Sequence, residues 1–136
     1  MEMTAKIQQL MEGFFPDLLG VHFIETGPDR VRAQLHVRRD LCTPNNTIHG
    51  GAIMAFADTL GAVGTLANLA DGSNTTTIES KTNFLRTAQV DGIVTGESKP
   101  LHRGKTTMVW QTKIADEAER AVAIVIQTQL VLTPCN

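Results

Sequence analysis

Cysteine is scarce in this chain: Cys42 and Cys135 lie 93 positions apart, and no Cys-x-x-Cys pair occurs. That spacing fits neither a disulfide framework nor a cysteine-based zinc site, and it points to a reducing cytoplasm. A basic excess is missing as well, since 12 Lys plus Arg stand against 14 Asp plus Glu, a formal charge of -2. Without it, non-specific attraction to a phosphate backbone is weak, and nucleic acid is not expected as a principal partner. The first 13 residues carry Glu2, Lys6 and Glu12 among apolar neighbours, so they have neither the basic start nor the apolar middle of an export signal. Nor is there a membrane-length run. The longest apolar stretch, Gly50 to Ala70, contains Asp58, Asn68 and four glycines. One aspartate at a bilayer centre costs about 2.5–3.5 kcal/mol, so this stretch reads as a core helix. Repeats and low-complexity segments are absent, and 136 residues leave room for one domain, residues 1–136.

What is present suffices for a core: 42% of the residues are hydrophobic and only 19% charged, a composition that folds. A short helix is expected from about Thr4 to Glu12. Val31, Ala33, Leu35 and Val37 alternate with Arg32, Gln34 and His36, which predicts a strand with one buried face. Val21 to Glu25 is expected to pair with it through Thr26-Gly27-Pro28-Asp29, a turn-forming sequence. From Gly50 to about Leu69, Ala, Gly, Leu and Met dominate and predict one long helix. It is apolar on nearly all sides, so a sheet wrapping round it is the expected cover. Asp71-Gly72-Ser73-Asn74 is expected to end it, with glycine as the left-handed cap. Four strands follow, at about Thr75–Phe84, Gly92–Leu101, Thr106–Ala115 and Ala121–Leu132, the last three forming an antiparallel meander through hairpin-length turns.

Two places could carry chemistry. The polar segment Thr43-Pro44-Asn45-Asn46-Thr47-Ile48-His49-Gly50-Gly51 runs into the start of the long helix, where free backbone N–H groups and the helix dipole favour an anion. Gly50 and Gly51 let a ligand approach the backbone closely. A purely structural reading has the glycines clear space and His49 cap the helix. Asp58 is the second place, the one charged residue between Asp40 and Asp71. Buried, it is costly unless used or paired; it serves as a general base or nucleophile, or else lies on a solvated strip of the helix. Nine residues separate His49 from Asp58, about 13.5 Å along a helix. The two cannot serve one substrate atom within one chain, so a functional reading of both requires a composite site in a two-fold dimer.

His49-Gly50-Gly51, Asp58-Thr59, Asn83-Phe84-Leu85-Arg86 and His102-Arg103-Gly104-Lys105 together resemble the hotdog-fold acyl-CoA thioesterases. The likeness is to the phenylacetate-pathway (PaaI-like) branch of the 4-hydroxybenzoyl-CoA thioesterase superfamily, from about Leu19 to Leu132. It implies an α+β hotdog fold, an antiparallel sheet wrapped around one long central helix. It implies hydrolysis of an acyl- or aryl-CoA thioester without metal or organic cofactor, in a homodimer or homotetramer, with no nucleic acid or membrane partner.

Residue by residue, the resemblance places Asp58 on the catalytic carboxylate and Gly50 on the N–H that holds the oxyanion. It places His49 on the residue orienting the carbonyl, and Thr77 on a Ser or Thr position across the dimer whose hydroxyl can hold the attacking water. Thr43 stands where many relatives have an asparagine, and Thr43 or Asn45 is the candidate substitute. Asn46 stands where relatives often have glycine, a residue tolerant of left-handed backbone. Arg86, Arg103 and Lys105, with Lys99, form a basic patch suited to the nucleotide end of coenzyme A. Two other readings remain: a non-catalytic acyl-CoA or acyl-carrier binder using the same cavity, and a hotdog dehydratase.

Overall fold

The alternating residues of the N-terminal half form the hairpin expected of them: β1 (His22–Thr26) pairs antiparallel with β2 (Val31–His36), Thr26 opposite Val31. In this computed structural model, which describes residues 2–134, Val31, Ala33, Leu35 and Val37 are fully buried. Cys135 lies outside the described residues. Two helices precede the hairpin, α1 (Glu2–Leu10) and the unexpected α2 (Phe15–Leu19), and a 3-10 turn (Arg39–Leu41) follows it. Then come α3 (Gly50–Leu66), β3 (Asn74–Phe84), β4 (Ile93–Arg103), β5 (Thr107–Ala115) and β6 (Ala121–Leu132).

The six strands make one antiparallel sheet in the order β1-β2-β4-β5-β6-β3. Strands β4, β5 and β6 are the expected meander. The sheet curls around α3, whose Phe56, Ala57, Leu60 and Val63 are buried with Leu35, Val94, Ile114 and Val125. Two glycines set the contact distance. A Cβ on Gly96 of β4 would sit 2.8 Å from Leu60 Cδ2, and one on Gly64 of α3 would sit 2.6 Å from the buried Trp110 ring. Both are closer than side chains pack. Among the described residues no helix is long and apolar enough to cross a membrane.

The structure corrects the end of α3, which stops at Leu66 rather than near Leu69. Asn68 supplies the reason: its side chain donates to Gly64 O at 2.8 Å, the carbonyl its own backbone would take in a continuing helix, while its N–H turns to Thr65 O. Gly72 is left-handed at φ +85, but it serves the turn into β3 and does not cap α3.

The expected cover of α3 is also incomplete. Gly51 is exposed, and Met54, Ala55, Asp58, Thr59 and Ala62 are only half-buried, leaving one stripe of the helix outside the sheet. Beside it, β3 is an edge strand of 11 residues bonded only to β6. Its register shifts between Thr77 and Glu79. Thr77 and Phe84 are seven residues apart and would point to opposite faces of a regular strand. The extra residue at this bulge reverses the alternation, so Thr77 meets Asp58 and Phe84 meets Gly50, both on α3.

Candidate active site

The start of α3 is built by His49. Its extended backbone (φ -70, ψ 138) stops helix propagation backward, and its Nδ1 accepts the Gly51 N–H at 2.8 Å. The His49 carbonyl takes the N–H groups of Ala52 and Ile53. Gly50 is the remaining donor of this turn, and no acceptor among the described residues takes its N–H. A Cβ at Gly50 would lie 3.2 Å from the half-exposed Phe84 ring, so glycine keeps this N–H open.

The loop before His49 is held by its own atoms. Thr43 O accepts from Asn46 N, Thr43 N donates to Thr47 O, and the Thr43 hydroxyl lies 3.3 Å from both the Thr47 hydroxyl and Asn45 N. Asn46 adopts φ +60, the left-handed backbone expected of it. Thr43 is thereby a loop-shaping residue in this chain, whereas Asn45 is exposed. Next to the helix start lies a cavity of about 390 Å³ lined by Phe15, Leu18, Leu41, Cys42, His49 and Ala52, among others. Burial raises the Cys42 thiol above its ordinary range, and Asp91 and Asp40 add to the effect. This favours the protonated thiol.

Asp58 is half-buried on the open stripe of α3. Thr77 Oγ1 donates to its Oδ1 at 2.5 Å, and Gln129 Nε2 donates to Thr77 Oγ1 at 2.7 Å. The Asp58 Oδ2 accepts nothing from the described residues. Thr77 thus belongs to the same chain's carboxylate. Its proton is directed to Asp58 Oδ1 within one chain. His49 and Asp58 share one unbroken helix, so their separation of about 13.5 Å stands.

The basic patch is not assembled as expected. Arg103 pairs with Asp29 at 2.7 Å and also donates to Pro28 O, and Lys99 pairs with Glu97 at 3.4 Å. Asp29 comes from the β1–β2 turn, 74 positions away, where a local reading does not find it, whereas Glu97 lies two residues before Lys99 on β4. Arg86 donates to Ala121 O at one end of β6, while Lys105 is exposed beside the other end, where Val131 N bonds Thr106 O. Nine strand residues put about 30 Å between them, so one chain cannot direct both at one phosphate.

Gln127 and Gln129 were not among the expected site residues, yet both are fully buried and both serve Asp58. Gln127 donates to its backbone carbonyl at 3.2 Å and lies against Gly61, where a Cβ would collide with it. The available signal was the period of two in Ala123, Val125, Gln127 and Gln129, which puts two amides on the core face of an apolar strand.

An antiparallel sheet curled on one long central helix is the hotdog fold. Residues 45–123 match the Thioesterase superfamily, and the chain belongs to that family. A Mycobacterium tuberculosis protein named "putative esterase" is 35% identical over 112 residues, 80% of this chain and 79% of the relative; its solved structure superposes with a TM-score of 0.85 at 32% identity, covering 90% and 98% of the two chains. The 1,4-dihydroxy-2-naphthoyl-CoA hydrolase of Escherichia coli is 32% identical, over 80% of this chain and 79% of its own. The crystal structure of a Haemophilus influenzae thioesterase matches with a TM-score of 0.91 at 25% identity, covering 96% and 90%.

Proposed function

We propose that this chain hydrolyses an acyl- or aryl-CoA thioester in a homodimer whose two active sites are each composite, with Asp58 from one protomer and the Gly50 N–H from the other. The carrying observation is the placement of both groups along β3, Asp58 by Thr77 near its start and Gly50 by Phe84 at its end. A free edge strand pairs most simply with its own copy about a two-fold axis. Antiparallel self-pairing of β3 brings the start of one copy to the end of the other, and so Asp58 to the partner's helix start. It also covers the open stripe of α3.

In this site the free Asp58 Oδ2 attacks the thioester carbonyl, or takes the proton of the water that does. Charge develops on the carbonyl oxygen, where the Gly50 N–H and the α3 dipole stabilise it. On the first route the coenzyme A thiolate leaves as an acyl–Asp58 anhydride forms, which water then hydrolyses to the acid and free Asp58; on the second the water's oxygen adds to the carbonyl and the thiolate leaves as the acid forms. His49 holds the first turn that aims Gly50. Phe15, Leu18 and Leu41 offer the acyl or aryl group an apolar wall beside that turn, and the exposed Lys105 and Arg86 remain for the nucleotide end. No step calls for a metal or organic cofactor. The family and the substrate named for the Escherichia coli relative support a CoA thioester as the substrate.

The test mixes two inactive variants. Asp58→Asn lacks the carboxylate; Gly50→Pro lacks the N–H at the first helical position, where proline is tolerated. Each alone is expected to release no thiol from benzoyl-CoA or hexanoyl-CoA. Subunits mixed one to one are expected to regain about a quarter of wild-type activity, because half of the dimers carry one intact composite site. Mixtures that stay inactive would sink the composite site, and wild type that binds these thioesters without turnover would favour the non-catalytic binder.

A further inference from the structure

We propose that Gln129 is a positioning residue for Asp58, acting through Thr77 by fixing the direction in which the Thr77 hydroxyl gives its proton. This rests on the thioesterase reading above and adds to it a residue remote from the substrate. Gln129 is fully buried on β6, one strand away from the helix that carries Asp58. Burying an amide costs free energy unless both ends are bonded. Here both are. Thr75 Oγ1 donates to Gln129 Oε1 at 3.0 Å, sharing its proton with Leu130 O at 3.0 Å, and Gln129 Nε2 donates to Thr77 Oγ1 at 2.7 Å.

A hydroxyl has one proton. With a donor arriving from Gln129, the Thr77 oxygen is an acceptor on that side, and its proton is directed to Asp58 Oδ1 at 2.5 Å. The row Thr75, Gln129, Thr77, Asp58 therefore runs in one sense. Turned over, the Gln129 amide would offer Thr77 an acceptor, draw its proton away and leave Asp58 without a donor. Occupying Oδ1 leaves Oδ2 as the reacting oxygen and holds its lone pairs at one angle. That is worth rate rather than affinity, because Gln129 is fully buried and reaches Asp58 only through Thr77.

The test replaces Gln129 with methionine, close in volume but without amide groups. In thiol release from whichever of benzoyl-CoA and hexanoyl-CoA is turned over faster, Gln129→Met is expected to lower kcat about tenfold and leave KM within about twofold. Thr77→Val is expected to lower kcat on its own, and Gln129→Met is expected to add nothing in that background, since its route is already cut. Thr75→Val, which frees the other end of the amide, is expected to move kcat in the same direction and covers the case in which methionine does not pack. Unchanged kcat, a change confined to KM, or effects that multiply in the double variant would overturn the proposal. A crystal structure of Gln129→Met gives a reading without substrate: Thr77 turned from Asp58 supports it, and an unaltered Thr77–Asp58 bond refutes it. Failure of the wild type to turn over any thioester would instead sink the hydrolase reading and leave that structural comparison standing.

Discussion

His49 shows how one residue answers two readings at once. The sequence left it as a helix cap or a catalytic group, and its Nδ1 does cap α3 through the Gly51 N–H. Capping leaves the Gly50 N–H as the unbonded donor of the first turn, the group the proposed mechanism uses. His49→Ala is expected to cost about 1 kcal/mol in denaturant unfolding, and His49→Asn to regain most of it, asparagine being among the best N-caps. An alanine variant as stable as wild type would show that the cap carries no weight. Asp58 was equally open in the sequence between use and a solvated strip. It proves to be on the open strip and also held by Thr77, which residue type alone does not reveal.

Among elements, α3 was legible because composition and length both mark it. Its close approach to the sheet was not, because that depends on which residue lies opposite. Gly64 faces Trp110, a rigid ring buried on β5. Gly64→Ala gains about 1 kcal/mol of helix propensity, yet it is expected to lower stability by a net 1–3 kcal/mol, roughly, as the ring cannot move away. Thermal unfolding of the variant checks this, and a raised Tm would contradict it. The helix α2 escaped prediction because five residues are too few to show a period. Its signals are Pro16 in the first turn and left-handed Gly20 after Leu19. What holds it is Arg38, donating to Leu18 O and Leu19 O from 19 or more residues away.

At the scale of the whole molecule, the exposed stripe of α3 and the free edge of β3 lie side by side, and a second copy satisfies both. Ala62 is half-buried on that stripe, one turn beyond Asp58. Ala62→Arg puts a charge in the middle of the proposed contact while removing no core atom. It is expected to yield folded monomer in sedimentation velocity and to abolish thiol release, because each site needs both protomers. A monomeric variant with full activity would mean that one chain carries the whole site.

The sequence by itself determined the strands and the central helix, since these rest on period, composition and spacing along the chain. The tertiary structure alone decided which groups those residues meet. The β3 bulge turns Thr77 and Phe84 to the same face, Gln129 reaches Thr77 across 52 positions, and Asp29 claims Arg103 across 74. Each depends on strand register and on contacts between distant segments, which local pattern does not encode.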